Sequence, residues 1–294
     1  MKVSLRTPGP LLAALLLCSM LGGASPAAPA SFTVSGTAGN DQIVLDAVAG
    51  EARVNDVTAF TFTPGSNRFT INAGDGKDTV TIIDGPGNSR YAVNFGPNGR
   101  DNLSIQDGSG NDRYAVDGTL AQFGLKIEVA DGPGNDRYSV VTGDGGSEYH
   151  LVDNTGSGND RYTLNLGAGQ DQGDLTDGPG NDLYTLNTGG GPDALLNLVD
   201  WTGSGKDRYV LNMGDGEDVV EILDGEGAVN YQVDMGPGDD LILVNDNSGK
   251  DHYTIRGGGN TTLSPGDKIV LSDPFVDPDK VKISGFETTE GALQ

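Results

Sequence analysis

The stretch DGSGNDRYAV, from Asp107 to Val116, recurs along the chain with small changes. DGPGNDRYSV runs from Asp131 to Val140, and DGPGNDLYTL runs from Asp177 to Leu186. Each copy joins a turn rich in Gly and Asp to a short segment that begins with Tyr or has Tyr near its start. A phrase repeated within one chain predicts a repeat architecture, in which each unit is stabilised by stacking on its neighbours.

The tyrosines set the period of this repeat. Eight of the nine tyrosines follow one another at intervals of 22 to 25 residues: Tyr91, Tyr114, Tyr138, Tyr162, Tyr184, Tyr209, Tyr231 and Tyr253. After each Tyr the apolar residues alternate, as in Tyr162, Leu164 and Leu166, which is typical of a strand with one buried face. We therefore expect the tyrosines to pack in the core rather than to form an exposed aromatic surface.

Each period has a second, fainter half. It is seen as AGDGKDTVTI from Ala73, GGGPDALLNL from Gly189, MGDGEDVVEI from Met213 and MGPGDDLILV from Met235. Each coil therefore has two Gly/Asp-rich turns and two strands. The sequence predicts an all-β chain, a parallel β-roll or β-helix solenoid of about eight to ten coils.

The two ends of the chain differ from the repeats. Lys2 and Arg6 precede an apolar run from Leu11 to Leu17 and then small residues, which predicts a secretory signal peptide that is too short to span a membrane. We expect a signal peptide at 1–30, an N-terminal cap with one isolated repeat (GTAGNDQI from Gly36) at 31–71, the solenoid at 72–257 and a C-terminal cap at 258–294. The protein is therefore expected to be secreted, with the periplasm as the alternative.

Charge and cysteine content narrow the possible partners. The 42 acidic residues outnumber the 18 basic ones, and loss of Lys2 and Arg6 with the leader changes the net charge from -24 to -26. Such a charge excludes nucleic acid as a partner and disfavours anionic membranes. The single cysteine, Cys18, lies in the leader. The exported chain must therefore reach stability without disulfides, by a large core or by bound ions.

The turns GSGNDRY and GDGKDTV resemble the calcium-binding repeat GGxGxDxUx of RTX (repeats-in-toxin, haemolysin-type) proteins, in which U is a large apolar residue. The resemblance covers roughly residues 36–257 and implies a β-roll that binds Ca²⁺ with aspartates of the sixth motif position from successive coils. That position is occupied along the Tyr side by Asp112, Asp136, Asp160, Asp182, Asp207 and Asp251. Along the other side it is occupied by Asp78, Asp101, Asp171, Asp193, Asp218 and Asp240.

The chain also departs from the family pattern. The family's coil is shorter, so the strands here are expected to be longer, with Tyr filling the added space. The first motif position is usually Asp rather than Gly, in Asp84, Asp107, Asp131, Asp177, Asp224 and Asp246. These aspartates either add a ligand or cap the preceding strand, and we favour capping. Ser89 and Val229 replace the carboxylate and the half-repeat near Leu120 is degenerate, so those coils are expected to bind calcium poorly.

The alternative to metal binding is that Asp and Asn serve only the local chemistry of the turns. Stacking carboxylates about 4.8 Å apart costs near 0.9 kcal/mol per neighbouring pair even in water, which favours a cation between them. Arginines at the next position, Arg90, Arg113, Arg137, Arg161 and Arg208, are expected to point outward and could pair with these acids.

Three classes of function fit these patterns. The first is a calcium-stabilised structural or interaction module at the cell exterior, which contacts a cell-surface or matrix polysaccharide or protein. The second is a calcium-dependent polysaccharide lyase on a parallel β-helix, with Lys77, Lys206 or Lys250 as candidate bases, and the third is an acidic spacer without metal. His150 and His252 lie in different coils, so neither a hydrolase triad nor a zinc site is expected. We favour the first class and no enzymatic activity, because the repeats occupy nearly the whole exported chain.

Overall fold

The computed structural model describes residues 29–153, 158–200, 205–249, 251–258, 267–271, 281–286 and 288–290. The described residues form strands and turns, and the strands make two long sheets. Residues 1–28 of the predicted signal peptide, with Cys18, lie outside the described residues, as does Lys250. Among the described residues there is no helix that is long and apolar enough to cross a membrane.

The first sheet, which we name the tyrosine sheet, contains eleven parallel strands in chain order. Its strands are β1 (Ser31–Ser35), β5 (Arg68–Gly74), β7 (Arg90–Phe95), β9 (Arg113–Gly118), β11 (Arg137–Thr142), β13 (Arg161–Asn165), β15 (Leu183–Asn187), β17 (Arg208–Asn212), β19 (Asn230–Asp234), β21 (His252–Arg256) and β23 (Val281–Ser284).

The second sheet contains thirteen strands. They are β2 (Gln42–Asp46), β3 (Glu51–Val54), β4 (Val57–Thr61), β6 (Thr79–Ile83), β8 (Asp101–Gln106), β10 (Leu125–Ala130), β12 (Glu148–Val152), β14 (Gln172–Thr176), β16 (Ala194–Asp200), β18 (Val219–Gly227), β20 (Leu241–Gly249), β22 (Lys268–Leu271) and β24 (Thr288–Glu290). All pair in parallel except β3 and β4, which add an antiparallel hairpin to β2. Successive strands of the repeat alternate between the two sheets, so the predicted all-β parallel solenoid is confirmed.

Stacking begins earlier in the chain than the repeat motif suggests. β1 pairs with β5, and β2 pairs with β6, each in parallel. The segment 31–71 therefore supplies a first coil with the hairpin β3–β4 attached to it. At the other end, β22 continues the second sheet beyond residue 257 by pairing with β20.

A ladder of stacked aromatic rings runs through the tyrosine sheet. The eight tyrosines occupy equivalent register positions, are buried, and have ring centroids 4.6 to 5.1 Å apart. Phe69 extends the ladder, with its ring 5.2 Å from that of Tyr91. The tyrosines thus pack in the core, as predicted. Neighbouring tyrosine rings are nearly parallel, with 2 to 11° between their planes, so their hydroxyls form a second column beside the polar groups described next.

Candidate metal centre

The sixth-position aspartates of the Tyr side connect neighbouring coils by hydrogen bonds. Oδ1 of Asp136 accepts the main-chain N–H of Asp112 at 2.5 Å, and Oδ1 of Asp160 accepts that of Asp136 at 2.6 Å. The same bond joins Asp160 to Asp182 and Asp182 to Asp207. Each carboxylate therefore uses one oxygen to hold the turn of the preceding coil.

The second oxygen of each of these carboxylates has no hydrogen-bond partner in the described part of the chain. This holds for the buried Oδ2 atoms of Asp112, Asp136, Asp160, Asp182 and Asp207. The five side chains are only 0 to 2 % exposed, so water does not reach these atoms freely. A buried carboxylate oxygen without a partner costs several kcal/mol or takes up a proton, and in native proteins it commonly marks a bound ion.

A further column of aspartates lies where the strands of the second sheet end. The main-chain N–H groups of Asp84 and Asp107 donate hydrogen bonds to carbonyl oxygens at the end of the next strand of this sheet. Asp131, Asp153 and Asp177 make the same hydrogen bond. In the same column, Asp200 stands in register with Asp224, which stands in register with Asp246. We name Asp84, Asp107, Asp131, Asp153, Asp177 and Asp200 the strand-end aspartates.

The strand-end aspartates meet the sixth-position aspartates in groups of three. In each group one carboxylate oxygen of every member lies within 4.8 Å of the others. The five groups are Asp84, Asp107 and Asp112; Asp107, Asp131 and Asp136; Asp131, Asp153 and Asp160; Asp153, Asp177 and Asp182; and Asp177, Asp200 and Asp207. Four strand-end aspartates belong to two successive groups, so the five groups form one continuous row along the solenoid.

Tyrosine hydroxyls hold four of the strand-end aspartates in place, namely Asp84, Asp107, Asp131 and Asp177. Tyr138 donates a 2.6 Å hydrogen bond to Oδ1 of Asp131, and Tyr162 donates to the other oxygen of the same carboxylate. Asp177 likewise accepts from Tyr184 at 2.8 Å and from Tyr209 at 2.5 Å. The aromatic core and the carboxylate row are therefore joined along their length.

Burial makes these carboxylates hard to ionise in the absence of a cation. Burial is the main cause that raises the pKa of Asp136 and of Asp182 to about 9, and that of Asp112 to about 8. Burial also raises the pKa of Asp207 and of Asp107 to about 7. Neighbouring aspartates raise several of these pKa values further, because like charges oppose ionisation. A cation at the row would offset both effects, because an opposite charge nearby favours the ionised form.

Glycines provide the room that the carboxylates occupy. A Cβ atom on Gly134 would lie 2.3 Å from Oδ2 of Asp136 and 1.9 Å from the carbonyl oxygen of Gly110. Gly110 stands in the same relation to Asp112, where a Cβ would lie 2.7 Å from Oδ2. Glycine is thus required two residues before these aspartates, because a Cβ atom there would collide with the carboxylate and with the backbone of the adjacent coil.

The six predicted aspartates of the other side form a simpler ladder. The main-chain N–H groups of five of them donate to Oδ1 of an aspartate one coil further on, as in the 2.7 Å bond from Asp78 to Asp101 and the 2.8 Å bond from Asp171 to Asp193. The coil after Asp101 has Leu125 at the paired position. Within the residues that the structure describes, Oδ2 is buried without a hydrogen-bond partner in Asp78, Asp101, Asp171, Asp193, Asp218 and Asp240. Among the described residues, no group of three carboxylates forms around them.

The remaining positions show where the two ladders are interrupted. Asp251 accepts the main-chain N–H of Val229 at 2.7 Å, and Asp112 accepts that of Ser89, so the backbone bond persists where the carboxylate is lost.

Asp41 is not isolated, because its N–H donates to Asp78 at 2.8 Å. Both oxygens of Asp41 already accept bonds from Thr37 and Asn55. It extends the ladder without offering a free oxygen.

Two members of the row were missed from the sequence. They are Asp153 and Asp200, which precede their sixth-position aspartates by seven residues, whereas Asp107 and Asp131 precede theirs by five. The detectable signal is that both follow an apolar residue at the end of a strand. The favoured role of the other strand-end aspartates, capping, is also observed, since Asp131 accepts the N–H of Gly132 at 3.0 Å. They cap the turn and join the row at once.

Comparison of the chain with protein-family models, with curated proteins and with solved structures gives no match.

Proposed function

We propose that the protein is an exported β-solenoid that binds calcium ions along its row of aspartates and serves as a structural or interaction module at the cell exterior. The observation that carries the proposal is the set of five carboxylate groups, in each of which the sixth-position aspartate has a buried Oδ2 with no hydrogen-bond partner among the described residues. These groups lie between coils, so an ion bound there would tie each coil to the next.

Charge balance supports several ions rather than one. The row contains six strand-end and five sixth-position aspartates, so eleven negative charges when all are ionised. Five divalent cations, one in each group, would bring ten positive charges. Nearly complete neutralisation removes the repulsion that raises the pKa values of these groups.

The ligand chemistry favours calcium among divalent cations. The row offers only oxygen ligands, which suit hard cations. Zinc prefers Cys and His, and neither occurs in the row. Calcium accepts six to eight oxygens in flexible geometry, whereas magnesium demands a near-ideal octahedron. The likeness of the turns to RTX repeats points the same way, as does the predicted export to a medium where calcium sites of modest affinity can fill.

The large share of the chain that the repeats occupy favours a structural role over catalysis. Strands of the two sheets extend from Ser31 to Glu290, so the repeats account for most of the exported protein. The competing proposal is a polysaccharide lyase on the same fold. An activity screen on acidic polysaccharides with calcium present separates the two.

Calcium titration of chelator-treated protein tests the proposal. Far-ultraviolet circular dichroism and thermal melting are followed as calcium is raised to the millimolar range, with magnesium as the matched control ion. We expect calcium to raise the melting temperature far more than magnesium does. Filling five sites to ten times their dissociation constants adds about 1.4 kcal/mol each. An unchanged melting temperature would overturn the proposal.

A further inference from the structure

A column of five arginines lies on the outer face of the tyrosine sheet. The arginines occupy equivalent positions in five neighbouring parallel strands, β5, β7, β9, β11 and β13, and all are exposed. They are Arg68, Arg90, Arg113, Arg137 and Arg161. Strand spacing places neighbouring arginines about 4.8 Å apart. We name them the arginine column.

The arginine column is not neutralised by the acidic protein that carries it. Within the described part of the chain, none of its guanidinium groups forms an ion pair with a carboxylate. The aspartates that precede three of these arginines, Asp112, Asp136 and Asp160, point into the interior. The arginines therefore do not pair with those acids. Five like charges in a row repel one another, so local charge balance does not explain the column.

The surroundings of the column suit a linear polymer. On one side runs a hydrogen-bonded ladder of exposed asparagines, in which Asn135 donates to Oδ1 of Asn111 at 2.9 Å and Asn159 donates to that of Asn135 at 3.1 Å. On the other side the outward positions carry small residues, such as Ala115 and Ser139. The outward position next to each arginine of the column thus carries only Ala, Ser or Thr.

We propose that the arginine column binds a linear acidic polysaccharide laid along the solenoid axis. Guanidinium groups bind carboxylates and sulfates by paired, charge-assisted hydrogen bonds, and a straight row of them matches a chain with regularly repeated anionic groups. The adjacent asparagine amides can bond sugar hydroxyls. This proposal names the partner of the proposed exterior module and rests on that function only for its location; the column itself needs no calcium.

Calcium nevertheless strengthens the expected attraction. The row of aspartates lies directly behind the column, since Arg113, Arg137 and Arg161 each follow a member of it in sequence. The net charge of -24 opposes the approach of any polyanion, the proposed polysaccharide included, and positive charge added to the row lowers this repulsion. Binding to the column is therefore tighter in calcium than in chelator if both proposals hold.

The test uses a fluorescent chondroitin sulfate oligosaccharide and the purified protein, titrated at several salt concentrations with and without calcium. The triple variant Arg113→Gln, Arg137→Gln, Arg161→Gln is compared with Arg53→Gln, Arg100→Gln, Lys126→Gln, which loses the same charge elsewhere. Lys126 and Arg100 both lie near Glu148 and outside the column. Neutral dextran and single-stranded oligothymidylate of equal charge are the control polymers.

We expect the column variant to lose at least about tenfold in affinity and the salt dependence to weaken by about one contact per arginine, while the control variant changes less than about twofold. Equal losses in both variants, binding of dextran, or equally tight binding of the oligonucleotide would each overturn the proposal. Calcium bound to the same samples is counted by dialysis. Column-dependent binding without any bound calcium would retain this inference and reject the proposed calcium function. Bound calcium without column-dependent binding of the oligosaccharide would reject this inference alone.

Discussion

The hydroxyl of Tyr138 lies 2.6 Å from Oδ1 of Asp131 and donates a hydrogen bond to it, across seven residues of one turn. Asp131 in turn belongs to two successive carboxylate groups. A residue of the apolar core therefore positions a shared ligand of the candidate metal row. This coupling explains why the tyrosine period and the aspartate period coincide along the chain.

Removal of a tyrosine hydroxyl separates this role from packing. Tyr138→Phe keeps the ring stack but leaves Asp131 with one donor fewer, so we expect a loss of about 1 to 3 kcal/mol in the free energy of unfolding. Tyr231→Phe is the matched control, because the hydroxyl of Tyr231 is buried and has no hydrogen-bond partner among the described residues. Its removal is expected to be neutral or stabilising. Urea unfolding measures both, and equal effects would show that the hydroxyl bond is unimportant.

The effect of replacing a sixth-position aspartate on the melting temperature should change sign when calcium is added. Asp136→Asn removes a buried carboxylate whose pKa is raised to about 9, yet its remaining oxygen can still accept the N–H of Asp112. In chelator we expect the variant to melt at the same temperature as the parent or higher. In calcium it should melt lower, because a ligand is lost. Thermal melts in both buffers decide this.

The control for that comparison is Asp117→Asn. Asp117 is exposed on the tyrosine sheet and accepts hydrogen bonds from the main-chain N–H and the hydroxyl of Thr119, two residues further on. We expect little change in either buffer. If Asp136→Asn behaved like Asp117→Asn in calcium, the side chain of Asp136 would have no part in ion binding.

A methyl group on a turn glycine should close the space beside the row. Gly134→Ala places Cβ 1.9 Å from a carbonyl oxygen of the adjacent coil, so the backbone must shift and we expect a loss of at least about 3 kcal/mol. Gly190→Ala meets its nearest atom at 3.8 Å and is expected to stay within about 0.5 kcal/mol of the parent. Chemical unfolding in calcium compares the two; similar stabilities would mean that the turns do not pack as described.

The metal-free protein should lose stability as the pH rises. Asp112, Asp136 and Asp182 have folded-state pKa values of about 8 to 9, above the value near 4 of an unfolded chain. Between these values the folded state binds more protons, so stability is greatest at the acidic end and declines as the pH passes from about 4 to about 9.

Protein freed of metal and then dialysed into metal-free buffer allows this to be measured by thermal melts at pH 5, 7 and 9. We expect the melting temperature to fall along the series. In calcium the trend should weaken or reverse, because deprotonated carboxylates bind the ion more tightly. A melting temperature that rises with pH in metal-free buffer would contradict the burial of ionisable carboxylates.

The periodicity of the sequence was sufficient to predict the fold and about half of the residues of the candidate site. The tyrosine repeat identified the buried strand positions, and the Gly-x-Asp turns identified Asp112, Asp136 and their equivalents, because local chemistry determines both. The strand-end members Asp153 and Asp200 could not be assigned in this way. Their distance from the turn motif varies, and only the register of the second sheet places them beside the row.

The central claim is that the row holds one calcium ion in each of its five groups, and the number of bound ions tests it most directly. Equilibrium dialysis with elemental analysis is expected to give at least five calcium ions per chain. Asp131→Asn, which affects two groups, should lower the count by about two, whereas Asp136→Asn, which affects one, should lower it by about one. A parent that binds no calcium, or variants that bind as many ions as the parent, would contradict the account.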